Sequence, residues 1–509
     1  MQWLQALSTL ANPACIAFML LGCIIGIIGG ALPGIGASLT MSLLIPFTFT
    51  LPKTIGLPFL IAAWSAVLWG GSITAILLNT PGTGGNVATC FDGFPLSEKG
   101  RGGVGLGISA MSSMVGGLVG IIVLILFAPL LASFSLRFGP AEYFLLAIFG
   151  MSIIATTTEG AALKGLIGAG IGLLISLIGY DLISGEIRYD FGTLYLQDGI
   201  PFLDVIIGLF AVSQAFVFAE ELEATVAKAG KVVGSAFEGI LIPFKYVVTL
   251  VRSCLIGVIF GFAPGVGTAA ANMVAWTEAK RSSSHPETFG SGDEEGLVAA
   301  ETANNAVQGG ALIPALTLGI PGNSDSAVFL VALMMYGITP GKDLFGNNPD
   351  LVYVLFTALL IGQILFFAIG VPFSNLWAKV TIVPTSIVMP VVLITCYVGA
   401  FALRNNIWDI LTVSIFGLLG YIMKKLKFPV VPMMLAVILG PIAEKNFYRA
   451  LLISGGSFKI FVSSLISQAL ILLIVFALAF PYISSVLRTR RQKNRDKNGA
   501  LDTPRRCES

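Results

Sequence analysis

The chain has 509 residues, of which 56% are hydrophobic and 11% charged, and its mean hydropathy is +0.90. These values exclude an ordinary soluble domain, and the net charge of +2 gives no indication of a nucleic-acid partner. Apolar windows of roughly 18 or more residues, each enough to cross a ~30 Å hydrocarbon core, recur without the period-two alternation of barrel strands. The sequence therefore predicts an all-α polytopic membrane protein, surrounded by a lipid bilayer.

The N-terminal region carries no charge before Lys53 and so lacks the basic segment of a cleaved signal peptide. We expect the chain to act as its own membrane signal. The six cysteines form no C-x-x-C pair, and we predict no disulfide framework and no metal centre.

Pro-Gly sequences interrupt the apolar runs at four places. The pattern G-x-x-P-G-x-G begins at Gly30 and again at Gly261, and "NTPGTGGN" at 79–86 corresponds to "LGIPGNSDS" at 318–326. Since two motifs recur in the same order and at nearly the same spacing, we predict two homologous halves. The predicted parts are a first transmembrane repeat at 1–220, a linker at 221–251, a second repeat at 252–485 and a basic tail at 486–509.

The distribution of basic residues predicts the orientation. The cluster at 424–427 and the tail at 486–509 are expected in the cytoplasm, and the linker between the halves likewise. Counting apolar spans from these points puts 92–103 inside, 337–350 outside and 287–301 outside, with the N-terminus on the periplasmic side. The two later Pro-Gly regions then end on opposite faces, which predicts repeats of inverted topology.

Broken helices are expensive in hydrocarbon, because the freed amides and carbonyls need partners. At a break, the N-terminus of the following half-helix suits a carboxylate, and the carbonyls of the preceding half suit a cation. A single Pro-Gly is more often a packing kink, but four in two symmetric pairs favour a transport site near the midplane. Each break could be a re-entrant hairpin or an unwound spanning helix.

Two groups of charged residues lie close to the breaks. Asp325 follows the Pro-Gly of "LGIPGNSDS" and is either a buried ligand for a coupling ion or a water-exposed loop tip. After "NTPGTGGN", we expect a solvated cytoplasmic turn formed by Asp92, Glu98, Lys99 and Arg101.

These motifs together resemble TctA, the large membrane subunit of the tripartite tricarboxylate transporter family. The resemblance extends from Gly22 to the last span and is best defined at 79–107 and 289–345. The family's N-x-P-G, E-x-x-N-N and G-I-P-G motifs fall on Asn79, Pro81, Gly82, Glu301, Asn304, Asn305 and Gly319–Gly322.

The resemblance implies a bacterial inner-membrane secondary transporter with about 12 spans, and not an enzyme. Its partners would be a TctB-like small membrane subunit and a TctC-like periplasmic solute-binding protein. The substrate would be a tri- or dicarboxylate such as citrate, moved by alternating access. The energy would come from a Na+ or H+ gradient without another cofactor, consistent with the lack of a Walker motif. The alternative is a passive anion pore.

From the breaks and the resemblance we predict the two parts of the site. Substrate carboxylates are expected at Asn79, Thr80, Gly82, Thr83, Gly322, Asn323 and Ser324. The coupling ion is expected at Pro33, Gly34, Gly36, Pro264, Gly265, Gly267, Asn304, Asn305 and Asp325. A negative Asp325 would repel a trianion unless it pairs with a cation.

Overall fold

The computed structural model describes residues 1–135, 137–157, 162–181, 183–220, 233–265, 267–341, 343–381, 383 and 385–479. The predicted tail at 486–509 and residues 221–232 of the predicted linker lie outside the described residues. The described helices up to residue 220 are α1 Gln2–Leu10, α2 Pro13–Ala31, α3 Gly36–Thr48, α4 Lys53–Leu78, α5 Thr89–Leu96, α6 Gly102–Ser135, α7 Pro140–Thr157, α8 Ala162–Ser176, α9 Leu194–Gln197, α10 Phe202–Ile206 and α11 Ser213–Glu220.

The later helices are α12 Ala236–Gly239, α13 Val247–Phe262, α14 Gly267–Ser282, α15 Glu294–Leu318, α16 Ser324–Met335, α17 Pro349–Gly370, α18 Ser374–Val380, α19 Thr385–Arg404, α20 Ile407–Lys425, α21 Val430–Ile453 and α22 Leu465–Ala479. Short 3-10 turns occupy Gly84–Asn86, Ile242–Tyr246 and Phe458–Val462, and π turns occupy Ser97–Arg101, Ile207–Val212 and Asp343–Asn347. Strands β1 Gly179–Tyr180 and β2 Ile187–Arg188 pair antiparallel.

The described chain is a multi-pass membrane protein by the length and composition of its helices. Eight helical segments can cross a membrane: Pro13–Ala31, Lys53–Leu78, Thr89–Phe134, Phe202–Glu220, Ala236–Phe262, Pro349–Gly370, Ile407–Lys425 and Val430–Ile453. Six shorter apolar helices accompany them, α3 and α16 among them. The prediction of a predominantly α-helical polytopic fold is confirmed.

Helices α4 and α15 form the centre of the protein and run antiparallel. Ser65 and Gln308 lie 3.3 Å apart, and further along α4 the Ser72 hydroxyl donates to Glu301 at 2.7 Å. Residue numbers along α15 therefore fall as those along α4 rise, which makes the two helices antiparallel. Almost every residue of both helices is buried, so the two helices provide a fixed frame for the breaks at their ends.

Helices α2 and α3 form a hairpin that packs on α4. Near the start of α2, the Cys15 thiol donates to Thr54 O at 3.5 Å, and a Cβ at Gly56 would lie 3.1 Å from Thr48 O at the end of α3. The open end of the hairpin thus meets the start of α4. Its tip carries the predicted ion residues Pro33 to Gly36.

Helices α13 and α14 form a second hairpin, against α15. Thr249 near the start of α13 and Ser283 just after α14 both donate to the Glu295 carboxylate, at 2.5 and 2.8 Å. Because α15 is antiparallel to α4, this hairpin enters from the opposite end of the protein to the first. Its tip carries Pro264 to Gly267.

The second hairpin corrects the predicted position of 287–301. We call the end of the protein that holds Glu294 and Arg101, paired at 2.6 Å, the Glu294 side. Lys99 donates to Ser291 O at 2.6 Å there, so 287–295 shares an end with 92–103 and the prediction of opposite sides is wrong. The span count assumed one crossing between the linker and 287, whereas α13 and α14 go in and return.

The prediction of a solvated turn is also wrong for Asp92. Its side chain is fully buried and accepts the backbone N–H groups of Gly290 and Asp293, both at 2.8 Å, while Trp276 Nε1 donates to the other oxygen at 2.7 Å. Glu98 and Lys99 are exposed as expected. Asp92 therefore links α5 to the segment before α15 through these hydrogen bonds.

The opposite end is the Asn348 side, where Lys53 Nζ donates to Asn348 at 3.3 Å. Gly341 N–H donates to Leu316 O at 2.7 Å, so the loop at 337–350 lies where α15 ends. Trp3 of α1 packs on Tyr353 with ring centroids 5.0 Å apart, which puts the described N-terminus on this side as well. This relative arrangement agrees with the span count, and the assignment of this side to the periplasm stays a prediction.

Candidate functional site

The first break follows α4. Asn79 ends the helix in the left-handed region with φ 54°, and Gly82 N–H then donates back to Gly71 O at 3.2 Å. A Cβ at Gly82 would lie 2.2 Å from Gly30 O, so only glycine fits where the chain passes the first hairpin. The side chains of Asn79 and Thr80 are exposed, and Thr80 donates to Leu78 O at 3.2 Å. Of the predicted substrate residues, these two are the exposed ones.

The side chain of Asn86 hydrogen-bonds to residues on both sides of the first break. Its side chain is fully buried, and its amide nitrogen donates to Ser72 Oγ at 2.9 Å. Its amide oxygen accepts the Thr83 hydroxyl at 2.5 Å. The predicted substrate ligand Thr83 is thus already hydrogen-bonded to Asn86, the last residue of the same "NTPGTGGN" motif.

Glu301 is the main candidate site residue that the sequence motifs did not assign to the substrate or the ion. Its carboxylate is fully buried in the middle of α15 and accepts four hydroxyl hydrogen bonds. The donors come from α4, α5 and α6 and are Ser72 at 2.7 Å, Thr89 at 2.5 Å, Ser109 at 2.9 Å and Ser113 at 2.9 Å. The E-x-x-N-N pattern marked the residue, but its donors are spread over about 40 positions of sequence and share no motif.

No ion pair among the described residues includes Glu301. A buried carboxylate without a counter-charge is destabilising by several kcal/mol if it is ionised. A proton or a small cation on Glu301 would remove this cost. The hydroxyls can serve either state, since each can donate or accept.

Asn304 and Asn305 lie one turn further along α15. Both side chains are fully buried, and within the described chain neither amide has a hydrogen-bond partner for its oxygen or its nitrogen. A Cβ at Gly85 would lie 1.9 Å from Asn304 Oδ1 and 3.1 Å from Thr268 Cβ. The first break, α15 and the tip of the second hairpin thus meet at Asn304. Unpaired buried amides are expensive, which indicates a ligand at this junction.

The second break follows α15 in the same manner. Gly319 ends the helix with φ 73°, and a Cβ at Gly322 would lie 2.2 Å from Gly261 O. Gly265 N–H in the second hairpin tip donates to Gly322 O at 3.0 Å. Asn323 then caps α16, since its Oδ1 accepts Ser326 N–H at 2.9 Å and its own N–H donates to Ser326 Oγ at 3.0 Å.

Asp325 lies in the first turn of α16 and is 8% exposed, so it is a buried carboxylate rather than a loop tip. Its Oδ1 accepts the Ser38 hydroxyl at 2.5 Å. Ser38 is in α3, two residues beyond the first hairpin tip. The second break is thereby joined to the hairpin of the other half.

The hairpin tips place the remaining predicted ion residues. Gly36 and Gly267 have φ of 66° and 80°, and a Cβ at Gly36 would lie 4.0 Å from Gly82 O. Gly34 faces elsewhere, because its Cβ would lie 2.3 Å from the Phe218 ring. Pro33 and Pro264 are half-buried in the turns themselves. The structure thus brings all four breaks together pairwise, with Gly34, Asn79 and Thr80 at the margin.

Comparison with known proteins agrees with the motifs. The model of the tripartite tricarboxylate transporter TctA family matches residues 16–435. The chain is 32% identical over 490 residues, 95% of its own length and 96% of the other, to the "Uncharacterized 52.8 kDa protein in TAR-I ttuC' 3'region" of Agrobacterium vitis. It is 31% identical over 236 residues to the "Uncharacterized protein in TAR-II ttuC' 3'region" of the same organism, covering 46% of this chain and 98% of that one. No solved structure matches the chain. The resemblance seen in the sequence is confirmed: the chain belongs to the tripartite tricarboxylate transporter TctA family.

Proposed function

We propose that this protein carries a small tri- or dicarboxylate, such as citrate, across the bacterial inner membrane by alternating access. A Na+ or H+ gradient drives uptake, a TctC-like periplasmic protein delivers the substrate, and a TctB-like subunit completes the assembly. Family membership supports the transported class and the partners. In this proposal the Asn348 side faces the periplasm and the basic C-terminal tail lies in the cytoplasm.

The observation that carries the proposal is the meeting of four backbone breaks at two buried carboxylates. Glu301 and Asp325 are each buried and hydrogen-bonded by hydroxyls, and neither belongs to an ion pair among the described residues. Asn304 and Asn305 add buried amide oxygens without partners. Oxygen ligands of this kind suit Na+, and a buried carboxylate equally suits a carried proton.

Inverted repeats are part of the proposal, and matched contacts support them. A Cβ at Gly30 would lie 2.3 Å from Val67 O and 2.6 Å from Gly71 N. A Cβ at Gly261 would lie 2.5 Å from Val307 O and 2.8 Å from Ala311 N. The α2–α3 hairpin therefore packs on α4 as the α13–α14 hairpin packs on α15. The two hairpins enter from opposite ends of the protein. Such paired breaks near the midplane are typical of secondary transporters.

The carboxylate substrate would bind at the second break, against the N-terminus of α16. The cap uses the backbone N–H and Oδ1 of Asn323, while its side-chain nitrogen Nδ2 makes no hydrogen bond among the described residues and can donate to a ligand. The half-buried Ser324 is next to it. Asp325 would repel the substrate unless it holds the coupling cation, which makes ion and substrate binding mutually dependent.

The test is uptake into proteoliposomes that contain this protein and its TctB-like partner. Labelled citrate and succinate are offered with and without the TctC-like protein, a Na+ gradient and a pH gradient. We expect saturable uptake that needs the binding protein and one gradient. Non-saturable flux that ignores all three would indicate a passive pore and overturn the proposal.

A further inference from the structure

A solvent-connected cavity of about 350 Å³ opens beside the second break, on the Asn348 side. It lies between α7, α21 and the loop that follows α16. Gly319 and Ile320, which end α15, form one wall, and Tyr143 lies in another. The volume lies within the range typical of small-molecule sites.

Two basic side chains of α21 line this cavity. Lys445 and Arg449 are one helical turn apart, so their Cβ atoms are about 6 Å from each other on the same face. Both are exposed, and neither forms an ion pair with another described residue. The adjacent Glu444 is already held by Arg188, at 2.7 Å. Two unpaired cations with this spacing suit two carboxylates of one molecule.

Asp343 is the acidic side chain in the lining. Its carboxylate accepts Asn347 Nδ2 at 2.8 Å and Thr339 N–H at 3.0 Å. The hydrogen bond from Asn347, and to a smaller extent the one from Thr339, holds the pKa of Asp343 below its usual value. Asp343 is therefore ionised at neutral pH. Two cations and one anion leave a net charge of +1 in the lining. The Asp343 carboxylate is already hydrogen-bonded to Thr339 and Asn347 of its own loop.

The cavity adjoins the second break. A smaller space of about 20 Å³, lined by Pro321 and by Gly319, lies next to it. The apolar side chains of Leu439 and Ile442 line both spaces. A ligand in the cavity would therefore lie beside Gly319 and Ile320, three to four residues before Asn323 in the chain.

We propose that this cavity is a receiving site that binds a small di- or tricarboxylate through Lys445 and Arg449 before the molecule reaches the second break. The inference rests on the proposed transport function, since it names where that substrate first binds. The broken helix ends carry no fixed positive charge, whereas a carboxylate arriving from water is attracted most strongly by one. The receiving site would supply that charge outside the membrane core.

The test uses Lys445→Gln, Arg449→Gln and the double variant in the complete transporter. Lys459→Gln is the matched control, because Lys459 is exposed, follows α21 and does not line the cavity. For the double variant we expect the half-saturating citrate concentration to rise about 10-fold or more, with the maximal rate within about twofold. Each single variant should show part of this rise and the control none. An unchanged half-saturation in the double variant, with wild-type uptake intact, would overturn the receiving site and leave the transport function standing.

A second measurement separates the two hypotheses. Thermal stability of the purified protein is recorded with citrate, with succinate and with cardiolipin. If no uptake occurs but citrate stabilises the wild type and Lys459→Gln and not the double variant, the cavity binds carboxylates and the transport proposal fails. If the double variant loses stabilisation by cardiolipin and keeps that by citrate, the two cations bind a lipid headgroup and the receiving site is overturned.

Discussion

The two breaks after α4 and α15 have nearly the same backbone but different surroundings. At the first, Asn86 is tied to Ser72, and Glu301 nearby is held by four hydroxyls. At the second, Asp325 is held by Ser38 from the opposite hairpin, and Gly319 lines an open cavity. The comparison indicates that breaks with equivalent backbones can differ in function, because the side chains that surround them come from other segments. We interpret the first as the fixed, closed site and the second as the one that exchanges with solvent.

The largest effect should come from Glu301→Gln. The amide keeps the shape of the carboxylate but cannot take up a proton or compensate a cation, so the fixed site loses its charge. We expect uptake to fall at least about 100-fold, with the thermal midpoint little changed. Proteoliposome uptake and a melting curve measure both. Glu98→Gln, on the exposed turn, is the control and should transport normally. Wild-type uptake by Glu301→Gln would remove Glu301 from ion coupling.

Gly82→Ala and Gly322→Ala test whether the two breaks are equally tight. Each new Cβ would lie 2.2 Å from a backbone oxygen that has little room to shift, and overpacking of this kind costs about 1–3 kcal/mol. We expect both variants to melt earlier and to lose most uptake. Gly84→Ala is the matched control, because nothing lies within 4 Å of its Cβ. If only one of the two variants is affected, the equivalence of the breaks is disproved.

Asp325→Asn addresses the exchanging break. Asparagine can still accept the Ser38 hydroxyl, but it attracts a cation less strongly. We expect the Na+ or H+ concentration that half-saturates uptake to rise about 10-fold, while the substrate concentration dependence changes less. Asp350→Asn, at the exposed start of α17, is the control. An unaltered dependence on both ions would exclude Asp325 from the ion site.

The smallest effects compare single hydroxyls. Ser113→Ala removes one of four donors to Glu301, and we expect less than about a threefold change in uptake, since three donors remain. Ser38→Ala removes the hydroxyl that α3 donates to Asp325 and should weaken ion dependence about fivefold. Uptake against ion concentration measures both. The reverse order would contradict the contrast between Glu301, held by four hydroxyls within its own bundle of helices, and Asp325, held across to the other half by Ser38.

The positions of the breaks were predictable because they depend on local backbone chemistry. Proline and glycine interrupt a helix wherever they stand, and all four predicted breaks separate helices in the structure. Asn304 and Asn305 were predicted as ligands, and their unpaired amides agree with that prediction without testing it. Asn79 was predicted from the family's N-x-P-G motif and Thr80 lies within that motif, yet both side chains are exposed in the structure, where Asn79 ends α4 in the left-handed region.

By itself, the sequence determined that this protein lies in a membrane, where its helices break and to which family it belongs, since hydropathy, proline, glycine and long motifs are local properties. Only the tertiary structure decided that residues 247–282 turn back as a hairpin, because crossing or returning depends on packing against α15. It likewise decided that Asp92 is buried and that Asp325 meets Ser38, 287 positions earlier in the chain. The physical reason is the same in each case: a buried polar group needs partners, and only the packing of distant helices provides them.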